Sequence, residues 1–141
     1  MKTLFLRIQR NVFNNRFKNF KAPSIEFPKF DPEVFADISN RKINRFQNAF
    51  KNLQQDEPLI QHVGVSSYDN TLIVQIENLG EYKVWADLEN SLLYLFSPHT
   101  GNFSYYFDES ENLWISTKDK HILDEHLVRE LLKFTRGYLD I

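Results

Sequence analysis

Between residues 35 and 53, apolar side chains recur at the spacing of an α-helix. Phe35, Ile38, Ile43, Phe46, Phe50 and Leu53 fall near one face at 3.6 residues per turn. Asp31-Pro32-Glu33 precedes them, offering an Asp that can cap, a proline suited to the first turn and an acid at the positive end of the helix dipole. The helix is expected to end around Gln55, before Pro58. From His62 the period changes to two. Val63 and Val65, then Leu72, Val74 and Ile76, then Tyr82 and Val84, then Leu93 and Leu95 alternate with other residues. Phe103, Tyr105 and Phe107, then Leu113 and Ile115, continue the pattern. Asp69-Asn70, Asn78-Leu79-Gly80, Glu89-Asn90, His99-Thr100-Gly101 and Asp108 to Asn112 mark turns between these short strands.

The strands follow one another at about ten-residue spacing with no helix between, which predicts an antiparallel meander. A last helical stripe comprises Ile122, Leu123, His126, Leu127, Glu130, Leu131 and Phe134, with Gly137 at the expected C-terminal stop. The fold class is therefore α+β, a two-layer sandwich in the order helix, five or six antiparallel strands, helix. Two helices apolar on one side each would both cover one face of the sheet, leaving the other face open to partners. There is no internal repeat and no low-complexity tract.

Charge divides the chain of 141 residues into parts. Residues 1–21 hold Lys2, Arg7, Arg10, Arg16, Lys18 and Lys21, and the first acid is Glu26. With Leu4, Phe5, Leu6, Ile8, Val12 and Phe13 interleaved, this segment has the character of a mitochondrial transit peptide: Arg-containing, acid-free and amphipathic, with asparagine replacing the usual serine. Residues 22–30, with Pro23 and Pro28, read as an extended linker, and residues 31–141 as the folded domain. The chain has no cysteine, which removes disulfides, thiolate metal sites and a catalytic thiol. No stretch approaches the roughly 18 apolar residues of a membrane span, and no Gly-rich phosphate loop or metalloprotease helix motif is present.

The most specific strings are Leu79-Gly80-Glu81-Tyr82-Lys83-Val84-Trp85, then Leu95-Phe96-Ser97-Pro98-His99-Thr100-Gly101, then Asn112-Leu113-Trp114. These resemble the frataxin pattern of a Leu-Gly turn, a Tyr-Val strand, a Trp-bearing strand ending in Ser-Pro, and an Asn-Trp before the last strand. The resemblance runs from about Phe35 to Gly137. It implies an activator of the cysteine desulfurase–scaffold complex of iron–sulfur cluster assembly that can also deliver iron, working as a monomer in the matrix of a mitochondrion or related organelle. It further implies weak Fe²⁺/Fe³⁺ binding along an acidic ridge on the first helix and first strand, carboxylates being suitable hard donors. No nucleic acid and no membrane enter this reading.

At the ridge positions this chain carries Asn40, Arg41, Asn44, Asn48, Lys51, Asn52 and Gln55, followed by Gln61, His62 and Gly64. A neutral-to-basic surface repels Fe²⁺, and this argues against ferroxidase or iron-storage activity there; a non-enzymatic activator is expected. The candidate metal ligands that are left are Asp31, Glu33 and Asp37 at the helix start, Asp56 and Glu57 after its end, and His62. Other acids (Glu77, Glu81, Asp87, Glu89) surround the second and third strands, where solvated surface is the usual fate of such groups. In the family register Trp85, Asp87, Leu92, Tyr94 and Phe96 point away from the helices, with Ser97 and Pro98 ending the same strand. Aromatics grouped on an open sheet face mark a contact surface, and these residues are the expected partner-binding set. A nucleic-acid-binding sheet is the competing reading. Arg41, Lys42, Arg45 and Lys51 would favour it, but they sit on the helix side. No catalytic residue is assigned.

Overall fold

The computed structural model describes residues 26–141; the basic segment 1–21 and residues 22–25 of the linker lie outside them. Helix α1 spans Pro32–Asp56, followed by β1 (Ile60–Val65), β2 (Leu72–Ile76), β3 (Gly80–Asp87), β4 (Leu92–Ser97), β5 (Gly101–Asp108), β6 (Leu113–Ser116) and α2 (Leu123–Leu131). The six strands form one sheet in chain order, and every neighbouring pair is antiparallel. This is the expected α+β sandwich, with six strands. No described helix is long and apolar enough to cross a membrane.

Helix α1 shows how little of its stability is intrinsic. Asn40, Asn44, Asn48 and Asn52 form an exposed stripe at four-residue spacing, and asparagine is a weak helix former. The helix is held by its other face, where Phe35, Ile43, Phe46, Ala49, Phe50 and Leu53 are buried. Pro32 occupies the first turn as expected, but the Asp31 side chain makes no capping hydrogen bond. The core lies between the helices and one sheet face: Leu72, Val74, Tyr82, Val84, Leu93, Leu95 and Tyr105 meet α1, with Leu123, Leu127 and Leu131 of α2.

Three features depart from the periodicity reading. In β6 the buried residues are Trp114 and Ser116, whereas Leu113 and Ile115, which continue the alternating apolar pattern, are on the outer face. Tyr106 pairs with Ile115 and Phe107 with Trp114, so the register of β5 decides the matter. Helix α2 ends at Leu131, well before Gly137. The stop comes from a turn in which the Leu131 carbonyl accepts from the Phe134 and Thr135 amides at 2.9 Å each and from Thr135 Oγ1 at 2.9 Å. Gly137 serves packing instead, since a Cβ there would run into a Leu53 δ-methyl group.

The last part of the linker belongs to the packed structure. Phe30 lies 6.1 Å from Phe35 and 6.3 Å from Phe107 between ring centroids, and its amide donates to Ser91 Oγ at 3.0 Å. Ser91, rather than Asn90, takes the left-handed conformation in that turn, with φ 55°. At the β2–β3 turn Gly80 has φ 128°, and a Cβ on it would stand 2.9 Å from Pro98 Cβ. The Leu-Gly turn is thus constrained by both backbone and packing.

Candidate functional site

The two central strands, β3 and β4, carry the candidate site on the face turned away from the helices. Because side chains alternate across a strand, burying Tyr82, Val84, Leu93 and Leu95 sends Lys83, Trp85, Asp87, Leu92, Tyr94 and Phe96 to the other side. The β3–β4 register sets Trp85 opposite Tyr94, Asp87 opposite Leu92 and Lys83 opposite Phe96. Trp85 and Tyr94 stack with ring centroids 5.5 Å apart and planes 24° from parallel. Ile73, Tyr106, Leu113 and Ile115 extend the apolar surface on the flanking strands, which the strand pattern alone did not show. A shallow dimple of about 130 Å³ beside Tyr94 is bordered by Asn102, Ser104 and Lys118. Ser104, across from Tyr94, spends its hydroxyl on Thr117 Oγ1 at 2.7 Å.

Asp87 holds the edge of this stack in place. Its carboxylate accepts from Asn90 Nδ2 at 2.7 Å and from the Asn90 amide at 3.2 Å, and Tyr94 Oη approaches at 3.5 Å. The Asn90 hydrogen bonds hold the Asp87 carboxyl below its ordinary value. Partial burial, with Asp87 beside it, pushes the Tyr94 phenol up. The pair is therefore neutral phenol next to carboxylate, an oriented aromatic and not an acid–base device. At one edge of the face Phe27 stacks on Tyr106 at 4.9 Å, so the chain passes over β5 before reaching the helix side at Phe30.

Two members of the expected partner-binding set occupy other positions. Ser97 is buried at 1 % exposure and donates to Glu130 Oε2 at 2.5 Å. It faces the helices because the alternation continues through the end of β4, so it supports the fold. Pro98 is half-buried against Gly80. In the sequence Glu130 is only one more member of the α2 stripe. It is a buried carboxylate that accepts from Tyr82 Oη and from Thr100 Oγ1 at 2.6 Å, with His126 Nε2 at 3.3 Å. Burial works against its ionisation, but hydrogen bonds from His126, Ser97, Thr100 and Tyr82 outweigh that and hold its pKa at about 2.

The candidate metal ligands are not brought together. Asp31, Glu33 and Asp37 are at one end of α1 and Asp56 at the other, about 35 Å away at the rise of a helix. Asp37 is paired with Arg41 at 2.7 Å. Glu57 is buried and accepts from the Arg136 amide at 2.8 Å, which ties the C-terminal tail to the end of α1. His62 is exposed on β1. Among the described residues, no group of three or more His, Asp or Glu is arranged to hold a metal ion.

The family model described as a frataxin-like domain matches residues 28–137. Among solved structures, trimeric frataxin from the yeast Saccharomyces cerevisiae, complexed with ferrous iron, aligns with TM-score 0.59 and 19 % identity over 91 % of this chain and 98 % of that one. The yeast trimer with full-length N-terminus gives TM-score 0.57 and 19 % identity, covering 89 % of each chain. No curated protein sequence matches the chain.

Proposed function

The chain belongs to the frataxin family, and from that premise we propose that its iron-related role is to assist iron–sulfur cluster assembly by activating a cysteine desulfurase–scaffold complex. The observation that carries this reading is the stacked Trp85–Tyr94 pair on the sheet face turned away from both helices, with Phe27 stacked on Tyr106 at the edge of that face. Fixed aromatics in the middle of a surface are the residues that most often dominate binding energy. Asp87 and Asn90 hold the pair in place, so little side-chain freedom remains to be lost on association.

Iron enters as cargo, not as a reagent at the helix ridge. The outer residues of α1 are amides and cations, and the scattered acids form no cluster, so a ferroxidase or storage role finds no support there. Delivery of weakly held Fe²⁺ through single carboxylates or His62 is the most this surface supports. The monomer is the working unit in this reading, although the yeast relatives are trimers. The acid-free residues 1–21 support a mitochondrial or mitochondrion-related location, which is general in the family.

Binding of residues 22–141 to the immobilised desulfurase–scaffold complex in iron-free buffer tests the surface. Replacing Trp85 and Tyr94 together by Ala is expected to weaken binding by roughly one to two orders of magnitude while leaving the unfolding midpoint nearly unchanged. Unaltered affinity would move the contact elsewhere.

A further inference from the structure

A second surface lies on the helix side, in a groove of about 420 Å³ between α1 and the end of the β5–β6 hairpin. Val34, Ile38, Arg41 and Arg45 form one wall, a stripe along α1 about 16 Å long at 1.5 Å per residue. The wall changes character along its length. Val34 is 49 % exposed and, with Ile38, lies nearer the helix start, where Phe107 and Trp114 stand 5.0 Å apart. The other end carries the two guanidinium groups.

The cations of this groove are not equally committed. Lys42 Nζ is held by Asp124 at 2.6 Å, its side chain only 10 % exposed. Burial lowers its pKa, Asp124 works in the opposite direction, and Arg45 adds to the lowering. Arg41 contacts Asp37 in a pair whose side chains are both 70 % exposed, the kind of surface ion pair that contributes little and exchanges partners cheaply. Arg45 makes no ion pair or side-chain hydrogen bond among the described residues. Glu109, the one acid among the described lining residues, and Asn112 complete the polar part of the groove.

From this we infer that the α1–hairpin groove is a docking site for an extended acidic–apolar segment of a partner protein. One end of the segment would seat an apolar side chain against Val34, Ile38 and Phe107, over the buried Trp114, and the other would place carboxylates on Arg45 and Arg41. About five extended residues span the 16 Å wall at 3.3 Å per residue, and a guanidinium fork matches a carboxylate in two-point fashion. Polyphosphate chains fit less well. Half of the groove is apolar, and residues 26–141 carry eleven Lys and Arg against nineteen acids, so a long polyanion meets net repulsion. The inference is separate from the sheet-face reading, since the groove lies across the molecule from Trp85.

The two tryptophans, Trp85 and Trp114, report the two surfaces independently. The ¹⁵N-labelled chain would be titrated with acetyl-Leu-Phe-Gly-Glu-Glu-amide and with its reversed sequence, following both indole N–H resonances. One or both peptides should shift the Trp114 resonance saturably while that of Trp85 stays in place. Peptides with Lys replacing Glu, or with Gly replacing Leu-Phe, should bind at least about tenfold more weakly, as should the Arg45→Glu variant with the acidic peptide. Arg45 is exposed, so that variant is expected to fold, and unchanged dispersion of the Trp114 signal would verify it. A stationary Trp114 resonance, a shift confined to Trp85, equal binding of the Lys or Gly peptides, or indifference to Arg45→Glu would each overturn the inference.

Discussion

Glu130 is the residue whose chemistry is furthest from its appearance in the sequence. It falls within a helical stripe of Leu123, Leu127 and Leu131, yet it is 3 % exposed and ionised. It joins α2 to β3 through Tyr82 and to β4 through Ser97, whose oxygen also accepts from the His99 and Thr100 amides at 3.0 Å each. A carboxylate whose pKa falls from 4.5 unfolded to about 2 folded contributes stability that is complete above 4.5 and disappears as pH drops towards 2. By linkage that contribution is on the order of 3 kcal/mol. Urea unfolding of wild type and Glu130→Gln at pH 7, 4 and 2.5 should therefore converge at the lowest pH, with the variant clearly less stable at pH 7. Parallel profiles would show that the carboxylate charge is not what the network uses. Burial could not be read from the sequence, because an acid within an apolar stripe is more often at its exposed margin.

At the scale of elements, periodicity identified the helices and the strands, and its failures have local causes. Leu113-Trp114-Ile115 is apolar on both faces, so alternation alone cannot choose a phase; the pairing of Phe107 with Trp114 and the packing of Trp114 on Phe35 at 5.7 Å choose it. The end of α2 differs from the sequence pattern for a related reason. Gly137 has the character of a helix stop, but its small size accommodates Leu53, and Glu57 holds the tail through the Arg136 amide. Gly137→Ala is thus expected to cost about 1–3 kcal/mol, as overpacking does, and Leu53→Ala in the same chain should recover part of it in a double-mutant cycle. Simple additivity in chemical denaturation would mean that the contact carries no strain. The outer-face residues Trp85, Asp87, Leu92, Tyr94 and Phe96 are legible through the family register, and their alternation with the buried Tyr82, Val84, Leu93 and Leu95 agrees with it. The same alternation, carried one residue further, places Ser97 inside.

The whole molecule keeps two surfaces apart. The sheet face presents stacked aromatics with few charges, while the helix side presents amides and cations on a body of net negative charge. An acidic iron-binding ridge is missing from the described residues of α1, so the proposed stimulation of cluster assembly through the sheet face requires no iron bound at α1. The decisive measurement is sulfide production by the cysteine desulfurase–scaffold complex of the same organism, with and without residues 22–141, first in iron-free buffer and then with Fe²⁺. Stimulation in iron-free buffer that is lost when Trp85 and Tyr94 are both replaced by Ala is the predicted result. Absence of stimulation by the wild-type domain, or its survival in the doubly substituted one, would contradict the account.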